Sequence, residues 1–385
     1  MTPLYSWTGS LSEGVMVDWK QPKENTIEAL QHGMLFGDGV EFDLRVDGEG
    51  ELVIFHDEFA PGEGPIGERC VENLPTDYLR SAGITTLNDL LANRDFTDSW
   101  QSGGKTVDIE FKLPHPSTKI DTMEYLSSIM GKLEVSLEPL ELPDRSVVVS
   151  CFSPKIGEAA KSFGFGIPVS RLMPHLRAWG RYWKLKRVVA VPNFARTTVK
   201  GITRSLRKEG MESIGIALDY LVGWPRFIHP GLPVGLRGKG LKRFFEARQG
   251  MGAFVWPAPL KHEDALVNAG ISLVSDNMDP TVLVKPDGTP RWPRPGSQPL
   301  DEEWSKRISE AGPLERGDIM DEAFSSLPMW GDIESERKRR IMEEQATRML
   351  WPGSTEKWVK LADGGLPWGS PRIIGHRGAG STHGM

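Results

Sequence analysis

Short apolar runs alternate with helix-like stretches over residues 24 to 280. Seven of these runs have the length and composition of buried strands, and the stretches between them have the spacing of amphipathic helices. This alternation predicts a parallel sheet with helical crossovers. The predicted strands are VEFDLRV (40 to 46), VDIEFKL (107 to 113), VVVSCF (147 to 152), IPVSRLM (167 to 173), SIGIALDY (213 to 220), GAFVWPA (252 to 258) and ISLVSDN (271 to 277).

A parallel barrel normally has eight strands, so one more strand is expected elsewhere in the chain. The run RIIG near the C-terminus is short, β-like and followed by a polar, glycine-rich tip. A proline-rich stretch and two charged helical segments separate it from the other strands. We therefore predict barrel strands two to eight with a hairpin in 1–280, a connector with helices in 281–369, and a strand in 370–385 that completes the barrel. The first and last strands of a barrel are neighbours, so this order is physically acceptable.

Two of the predicted strands carry acidic residues on one face. Strand alternation puts Glu41 and Asp43 on the same face, and it does the same for Asp108, Glu110 and Lys112. Uncompensated charge inside a barrel is costly, and a bound divalent cation is the simplest compensation. The all-oxygen donor set predicts one Mg²⁺ or Ca²⁺ rather than zinc. The alternative is an interior ion pair in which Lys112 neutralises Glu110.

A turn signal at Asp47 and Gly48 is followed by an apolar run that ends in His56 and Asp57. The spacing is too short for a helical crossover, so the run is expected to fold back as a hairpin over the mouth of the barrel. His56 would then lie above the metal, where a histidine suits a general acid. Taken alone, such a pair is more often a surface hydrogen-bonding pair.

The C-terminal run leads directly into His376, Arg377 and Gly378. Histidine offers a base near neutral pH, arginine offers a bidentate clamp for a phosphate, and glycine lets backbone amides approach an anion. In isolation this tripeptide is a weak signal. Its weight comes from the acids and the second histidine that the barrel would bring near it.

ENTIEAL followed by VEFDLRVDGEGELVIFHDEF resembles the signature of the glycerophosphodiester phosphodiesterase family, in which an HRG strand precedes an ENT helix start, an E-x-D strand, a DG turn and an HD. IEFK, VVVSCF, FVW and SLVSD resemble that family's later elements in the same order. The HRG alone is displaced, to 376 to 378. The resemblance implies an α/β fold, a TIM (β/α)8 barrel of the PLC-like phosphodiesterase type, circularly permuted so that the first strand is C-terminal. An alternative is that a more usual chain begins near Pro371.

The resemblance also implies roles for individual residues and a reaction. The implied site has His376 and His56 as catalytic base and acid, Glu41, Asp43 and Glu110 as ligands of one divalent cation, and Arg377, Lys112 and Trp256 as substrate-binding residues. The substrate would be a small phosphodiester, cleaved to an alcohol and glycerol 3-phosphate. Pro257 and the SDNMDP segment depart from the family pattern, which leaves the choice of substrate open.

Two other functions remain open. One is a phospholipase D-like enzyme acting on lysophospholipid or sphingomyelin head groups, which exposed aromatic residues beside the barrel mouth would favour; Trp179, Trp183 and Trp224 are the candidates. The other is a catalytically inactive barrel that binds phosphorylated ligands. A large distance between His376 and the acids would favour the inactive barrel.

Composition narrows the function classes further. The net charge of -6 over 385 residues disfavours a general nucleic-acid binder, and the basic stretch 177–208 is interpreted mainly as solvated helix faces. Cys70 and Cys151 show no metal-site spacing and are predicted to be free thiols. No apolar run approaches the ~20 residues of a membrane-spanning helix, and residues 1–14 have no secretory pattern. A cytoplasmic protein is the expectation, and the sequence predicts no oligomeric state.

Overall fold

A computed structural model describes the parts of the chain that carry the predicted barrel. The described residues are 20–63, 65–101, 105–143, 146–176, 183–279, 282, 302–312, 315, 318–319, 322, 326, 333–346 and 371–382. Trp179 and most of the predicted connector, including its proline-rich stretch, lie outside these residues.

Eight parallel strands close into a barrel. The described residues form ten strands: β1 (Gly39–Val46), β2 (Leu52–Ile54), β3 (Thr85–Thr86), β4 (Thr106–Phe111), β5 (Val147–Cys151), β6 (Val169–Leu172), β7 (Ser213–Ala217), β8 (Gly252–Trp256), β9 (Ser272–Ser275) and β10 (Ile373–Gly375). The barrel order is β1, β4, β5, β6, β7, β8, β9, β10 and back to β1. All eight predicted barrel strands are therefore present, within a few residues of their predicted bounds.

The C-terminal strand β10 closes the barrel. It pairs in parallel with β9, where Ile373 aligns with Leu273 and Gly375 aligns with Ser275. On its other side Gly375 aligns with Val40 of β1. The last strand of the chain thus lies between the strands that carry the SLVSD and VEFDL segments, as the sequence predicts. The origin of this order in a circular permutation remains a prediction.

The described residues also form helices. Their bounds are α1 (Ile27–Phe36), α2 (Thr76–Ser81), α3 (Leu87–Leu91), α4 (Arg94–Gln101), α5 (Thr122–Leu137), α6 (Ile156–Phe163), α7 (Trp183–Arg196), α8 (Val199–Lys208), α9 (Gly238–Arg248), α10 (Glu263–Asn268), α11 (Glu302–Glu310) and α12 (Ser335–Ala346). The main core lies between strands and helices, where Val40, Phe42 and Leu44 of β1 are fully buried. The outward face of β1 is therefore the apolar face, which leaves its acids for the interior.

Strand β2 forms the predicted hairpin. Its residues pair antiparallel with β1, with Leu44 aligned to Ile54 and Val46 aligned to Leu52. The turn is held by Asp47, whose carboxylate accepts hydrogen bonds from the backbone N–H of Glu51 at 2.8 Å and from the Thr76 hydroxyl. Short polar side chains that bond nearby backbone in this way are typical of tight turns. The hairpin delivers His56 to the end of the barrel.

Apolar side chains also fill part of the barrel interior. Val148, Phe254, Val274 and Ile374 form a separate buried cluster on four barrel strands. Cys70 and Cys151 are both buried, and they form no disulfide bond. Among the helices of the described part of the chain, none has both the length and the apolar composition needed to cross a membrane.

Candidate active site

Three carboxylates from two adjacent strands converge inside the barrel. Glu41 and Asp43 come from β1 and Glu110 comes from β4, and the register aligns Asp43 with Glu110. One oxygen atom of each lies within 4.8 Å of one oxygen of the others. The strand alternation read from the sequence thus correctly predicts which acids meet.

Cations and amides compensate part of this negative charge. Lys112 Nζ lies 2.9 Å from Asp43 Oδ1 and also contacts Glu110. On the other side Asn25 Nδ2 donates to Asp43 Oδ2 at 2.8 Å, and Arg377 Nε lies 3.2 Å from the same oxygen. The interior ion pair considered as the alternative to a metal is therefore present, but it reaches Asp43 and Glu110 and leaves Glu41 less well compensated.

Ionisation of Glu41 is strongly disfavoured by its surroundings. Burial first, and then the Asp43 and Glu110 carboxylates, raise the pKa of Glu41 well above its ordinary value. Its Oε2 accepts the backbone N–H of Arg377 at 2.8 Å, whereas its Oε1 is buried and has no hydrogen-bond partner among the described residues. A divalent cation between the three carboxylates would offset this repulsion, so the residues fit one.

Asp43 has the opposite titration behaviour. Burial alone would raise its pKa, but the surrounding cations, with Lys112 foremost, hold the pKa of Asp43 well below its ordinary value. Burial likewise would lower the pKa of Lys112, and Asp43 and Glu110 raise it by more. Asp43 and Lys112 therefore carry fixed opposite charges at the centre of the site.

Asp108 is a fourth acid in the barrel interior. It aligns with Glu41 across the β1–β4 ladder and lines the same cavity. Burial, with the Glu110 and Asp43 charges adding to it against a hydrogen bond from Ser150, raises the pKa of Asp108 to about 7. Near neutral pH this carboxyl takes both protonation states.

His376 follows β10 and faces the acid cluster. Its Nδ1 lies 2.6 Å from Asp276 Oδ1, and its Nε2 lies 3.8 Å from Glu41 Oε2. The Trp256 indole N–H also approaches Nδ1, at 3.3 Å, but the carboxylate at the shorter distance is the stronger partner for an Nδ1–H. This pairing leaves Nε2 as the unprotonated nitrogen of the neutral ring, directed toward the carboxylates.

Asp276 stays ionised beside this imidazole. Burial raises the pKa of Asp276, but His376 and the Ser381 backbone N–H, which donates to Oδ1 at 2.8 Å, outweigh burial and bring the pKa below its ordinary value. A histidine fixed by a carboxylate in this way has one defined tautomer.

The HRG segment is tied to the start of α1. Arg377 Nη1 lies 2.5 Å from Glu24 Oε1, and the backbone N–H of Asn25 donates to the Arg377 carbonyl at 3.0 Å. The second Glu24 oxygen accepts from the Thr382 backbone N–H at 2.5 Å and the Ser381 hydroxyl at 3.1 Å. Burial lowers the pKa of Arg377, but the carboxylates of Asp43 and Glu24 raise it by more, so the guanidinium is permanently charged.

Gly378 lets the HRG turn contact α1 directly. Its φ is +93°, and a Cβ atom there would lie 2.4 Å from the carbonyl carbon of Ala29. Any side chain at this position would push the turn away from the helix. Arg377, the preceding residue, also has a positive φ of 50°.

His56 lies on the other wall of the cavity. Its Nδ1 contacts Asp57 Oδ1 at 2.7 Å, and its side chain is 36% exposed, in contrast to the buried His376. The hairpin is fixed below it by the Phe55 N–H, which donates to the Asp43 carbonyl at 2.9 Å, and by Arg45, whose Nη2 donates to the His56 carbonyl at 3.2 Å. The hydrogen-bonding pair is thus present, and it lies at the cavity rather than on a remote surface.

A cavity of about 870 Å³ joins these groups. Both histidines line it together with Glu41, Glu110, Lys112 and Arg377. Aromatic rings form one wall: Trp256 contacts His376 with ring centroids 5.3 Å apart, and His175 bridges Trp256 at 5.7 Å and Phe152 at 5.5 Å. The cavity thus presents a charged half and an aromatic half.

Every residue named from the sequence as part of the site contributes to this region, and sequence reasoning missed four others. Glu24 and Asn25 entered the prediction only as part of a motif, although they pair with Arg377 and Asp43. Asp276 and His175 were not singled out. The position of Asp276 directly after β9 was the available signal, because residues there lie at the carboxyl end of the barrel.

The site thus combines two histidines, an arginine and a carboxylate cluster at the carboxyl ends of the strands of a closed parallel barrel. Residues 14–163 match the model of the Glycerophosphoryl diester phosphodiesterase family. The chain resembles this family over these residues, and it is an enzyme of the phosphoric diester hydrolase class.

Several solved structures of phosphodiesterases match part of the chain at low sequence identity. A phosphodiesterase from Oleispira antarctica in complex with the product sn-glycerol-3-phosphate has 15% identity and a TM-score of 0.43, covering 66% of this chain and 88% of its own. A glycerophosphodiester phosphodiesterase from Thermotoga maritima has 15% identity and a TM-score of 0.41, covering 70% and 92%. One from Parabacteroides distasonis has 15% identity and a TM-score of 0.43, covering 67% and 87%.

No curated protein sequence matches the chain. The resemblance to the family therefore rests on the match over residues 14–163.

Proposed function

We propose that the protein hydrolyses glycerophosphodiesters to an alcohol and glycerol 3-phosphate with the help of one divalent cation, Mg²⁺ or Ca²⁺. The observation that carries this proposal is the 3.8 Å distance between His376 Nε2 and Glu41 Oε2. The two residues come from opposite ends of the chain, and both line a cavity with the second histidine, Lys112 and Arg377.

Glu41, Asp43 and Glu110 would hold the cation. When bound, it would neutralise charge that develops at phosphorus. The unpartnered Oε1 of Glu41 and the purely oxygen donor set support a hard cation of this kind.

His376 would act as the base. Asp276 holds Nδ1, so that Nε2 is free to accept a proton from the attacking hydroxyl, either a neighbouring alcohol of the substrate or water. As the proton transfers, the adjacent Asp276 carboxylate stabilises the imidazolium. A general base of this kind typically contributes ~10² to 10⁴ in rate.

His56 would act as the acid. It faces the same cavity and is hydrogen-bonded through Nδ1 to Asp57, so its Nε2–H is the proton available to the leaving alcohol. Its partial exposure lets it regain a proton from solvent after each turnover.

Arg377 and Lys112 would orient the phosphate. Both carry fixed positive charge and both line the cavity, although each also contacts a carboxylate of the cluster. Trp256 would form the apolar wall against the rest of the substrate, since its ring borders His376.

A second candidate is the phospholipase D-like activity on lysophospholipid or sphingomyelin head groups. The observation that favours it is the exposure of Trp224, one of the aromatic residues named above, which is 63% exposed. The inactive, ligand-binding barrel is disfavoured, because His376 lies beside the acids instead of far from them.

The proposal also includes the order of the barrel strands along the chain and the cellular location of the protein. The parallel pairing of β10 with β9 and β1 supports a circular permutation with strand-forming residues in 370–385 and a connector in 281–369. The cytoplasm remains the expected location.

Hydrolysis assays test the proposal. Glycerophosphocholine, glycerophosphoethanolamine, lysophosphatidylcholine and bis(p-nitrophenyl) phosphate are each incubated with the intact protein, with Mg²⁺, Ca²⁺ or a chelator. Release of glycerol 3-phosphate from the first two substrates, dependent on a divalent cation, is expected. Choline release confined to the lysophospholipid would favour the second candidate, and no turnover by the folded protein would contradict both.

A further inference from the structure

Large apolar side chains are exposed together on α7 and on the segment after β7. On α7 these are Leu185, Val188 and Val189, which are 64%, 67% and 71% exposed. After β7 they are Trp224, Phe227 and Leu232, which are 63%, 61% and 77% exposed. We call these six residues the outer patch. They are half of the twelve large apolar side chains that are exposed among the described residues, although they occupy two short segments.

Contacts between the two segments make the outer patch one surface. On the inner side of α7, Phe194 is fully buried and packs on Tyr220 and His229, with ring centroids 4.4 and 4.5 Å apart. On the outer side, Arg187 lies over the Trp224 ring at 5.8 Å. The buried aromatic contacts fix the helix on the loop, so the exposed side chains belong to an anchored surface.

Two stretches of sequence that contain the outer patch are basic, and Glu209, Glu212 and Asp219 lie between them. Residues 183–208 contain eight lysines and arginines and no aspartate or glutamate, and residues 221–245 contain five and none, in a chain with net charge -6. Lys184, Arg196, Lys200, Arg237 and Lys239 are among those exposed. This local excess of positive charge favours binding to an anionic partner.

The outer patch lies at the end of the barrel that carries the site. Helix α7 comes after β6 and the loop with Trp224 comes after β7, so both belong to segments that begin at the carboxyl ends of strands. The same segments contribute Met173, His175 and Ala217 to the cavity wall. A partner bound at the outer patch is therefore close to the cavity mouth.

We propose that the outer patch binds the surface of an anionic phospholipid bilayer. Its aromatic and aliphatic side chains enter the headgroup region, and the surrounding lysines and arginines contact lipid phosphates. Exposed tryptophan and phenylalanine beside lysines is the composition of interfacial membrane-binding surfaces. Protein–protein interfaces, by contrast, are depleted in lysine. The proposal goes beyond the hydrolysis described above and does not depend on it.

Vesicle binding tests the proposal without any enzymatic readout. The intact protein is sedimented with phosphatidylcholine vesicles that contain or lack phosphatidylglycerol, at low and high salt. Binding is expected to the anionic vesicles and to weaken with salt, because attraction of exposed lysines and arginines to lipid is screened. Equal sedimentation with both vesicle types, or with neither, would overturn the proposal.

Substitutions locate the binding surface. A Trp224→Ala, Phe227→Ala double variant is expected to lower the partition coefficient by ~10-fold or more, since each loses a large apolar side chain. Val135→Ala on α5, where the side chain is 69% exposed, is the matched control and is expected to bind normally. Lys184→Glu with Lys200→Glu is expected to weaken binding, whereas Lys161→Glu on α6 is not.

The remaining outcomes separate this inference from the proposed function. Hydrolysis of soluble glycerophosphocholine is measured on the same variants and is expected to be unchanged, which also shows that they are folded. Vesicle binding without hydrolysis by the intact protein would contradict the proposed function and leave the membrane inference standing. Loss of a dimer in the double variant, seen by light scattering, with vesicle binding unaffected would assign the surface to a second copy and overturn it.

Discussion

His376 and Asp276 form a buried imidazole–carboxylate pair, with 2.6 Å between Nδ1 and Oδ1. They are 100 residues apart in sequence and become neighbours because β10 pairs with β9 in the barrel. The pair fixes which histidine nitrogen faces Glu41. The proposed role of His376 as the base depends on that orientation.

Asp276 is the carboxylate of this pair, and its substitution should change the His376 tautomer. Asp276→Asn replaces an acceptor with an amide that can donate to Nδ1, which favours the tautomer with Nε2 protonated and unable to act as a base. We expect kcat for glycerophosphocholine to fall ~10²-fold or more with little change in KM. Asp279→Asn, a nearby carboxylate substitution, should leave kcat within about twofold of the parent. Equal losses in both variants would mean that Asp276 does not position the base.

We expect Glu41 to affect both cation binding and stability. Glu41→Gln replaces a buried carboxyl group, whose pKa is raised by burial and by two neighbouring carboxylates, with a neutral amide. Because the amide has no ionisation penalty in the folded protein, the variant should unfold at a higher temperature than the parent in chelator. With a divalent cation at about one hundred times its Kd, the parent should gain about 2.7 kcal/mol of stability and the variant much less. Thermal unfolding with and without Mg²⁺ or Ca²⁺ measures both effects.

A buried acid outside the cluster controls for this effect. Asp38 lies at the opposite end of the barrel from the site, and burial raises its pKa to about 6. Asp38→Asn should retain the full cation-induced stabilisation. If Asp38→Asn and Glu41→Gln lose that stabilisation equally, the cation does not bind at the carboxylate cluster.

Asn25 should matter for cation affinity, because it donates to Asp43 at 2.8 Å. Its φ is +57°, so Asn25→Gly removes the side chain without straining the backbone. Loss of a group that orients a ligand typically lowers metal affinity ~10- to 100-fold, and we expect a change of that size by titration calorimetry. Gln249→Gly, at a left-handed position that ends α9, is the matched control. Unchanged affinity in the Asn25 variant would refute this role.

Asp108 predicts a specific dependence of stability on pH. Its carboxyl has a pKa near 3.8 in the unfolded chain and about 7 in the folded protein, so folding becomes less favourable as pH rises between these values. Asp108→Asn removes this penalty. In chelator the variant should gain stability over the parent, by at most on the order of 4 kcal/mol above about pH 7, and the gain should shrink toward about pH 4. Urea unfolding at several pH values measures it, and a gain independent of pH would contradict the assignment.

The barrel was predictable from the sequence because its strands are short apolar runs between helical patterns. The alternation in VEFDLRV also predicts that Glu41 and Asp43 share the interior face, since side-chain direction in a strand has a strict period of two. Strand ends were less predictable: Leu218 to Tyr220 continue the apolar run after β7 but form a 3-10 turn. Hydrophobicity alone does not report where backbone pairing stops.

The partners of the catalytic groups were harder to predict. Asp276 follows a strand as many turn-forming aspartates do, and its role depends on a strand 100 residues away. The contact between Asn25 and Asp43 likewise needs the backbone of α1 in its final position. The outer patch was predicted only in part: Trp224 was named as a candidate exposed aromatic residue, but the apolar residues of α7 have no clear helical period and Pro192 lies within the helix. Such features depend on tertiary contacts rather than on local sequence.

The most direct test of the account is the cation-dependent hydrolysis of glycerophosphocholine by the intact protein and by His376→Ala, with the variant's fold checked by thermal unfolding. We predict glycerol 3-phosphate release by the intact protein and a loss of ~10² or more in the variant. A folded His376→Ala variant that retains parental activity would contradict the claim that the C-terminal strand supplies the catalytic base.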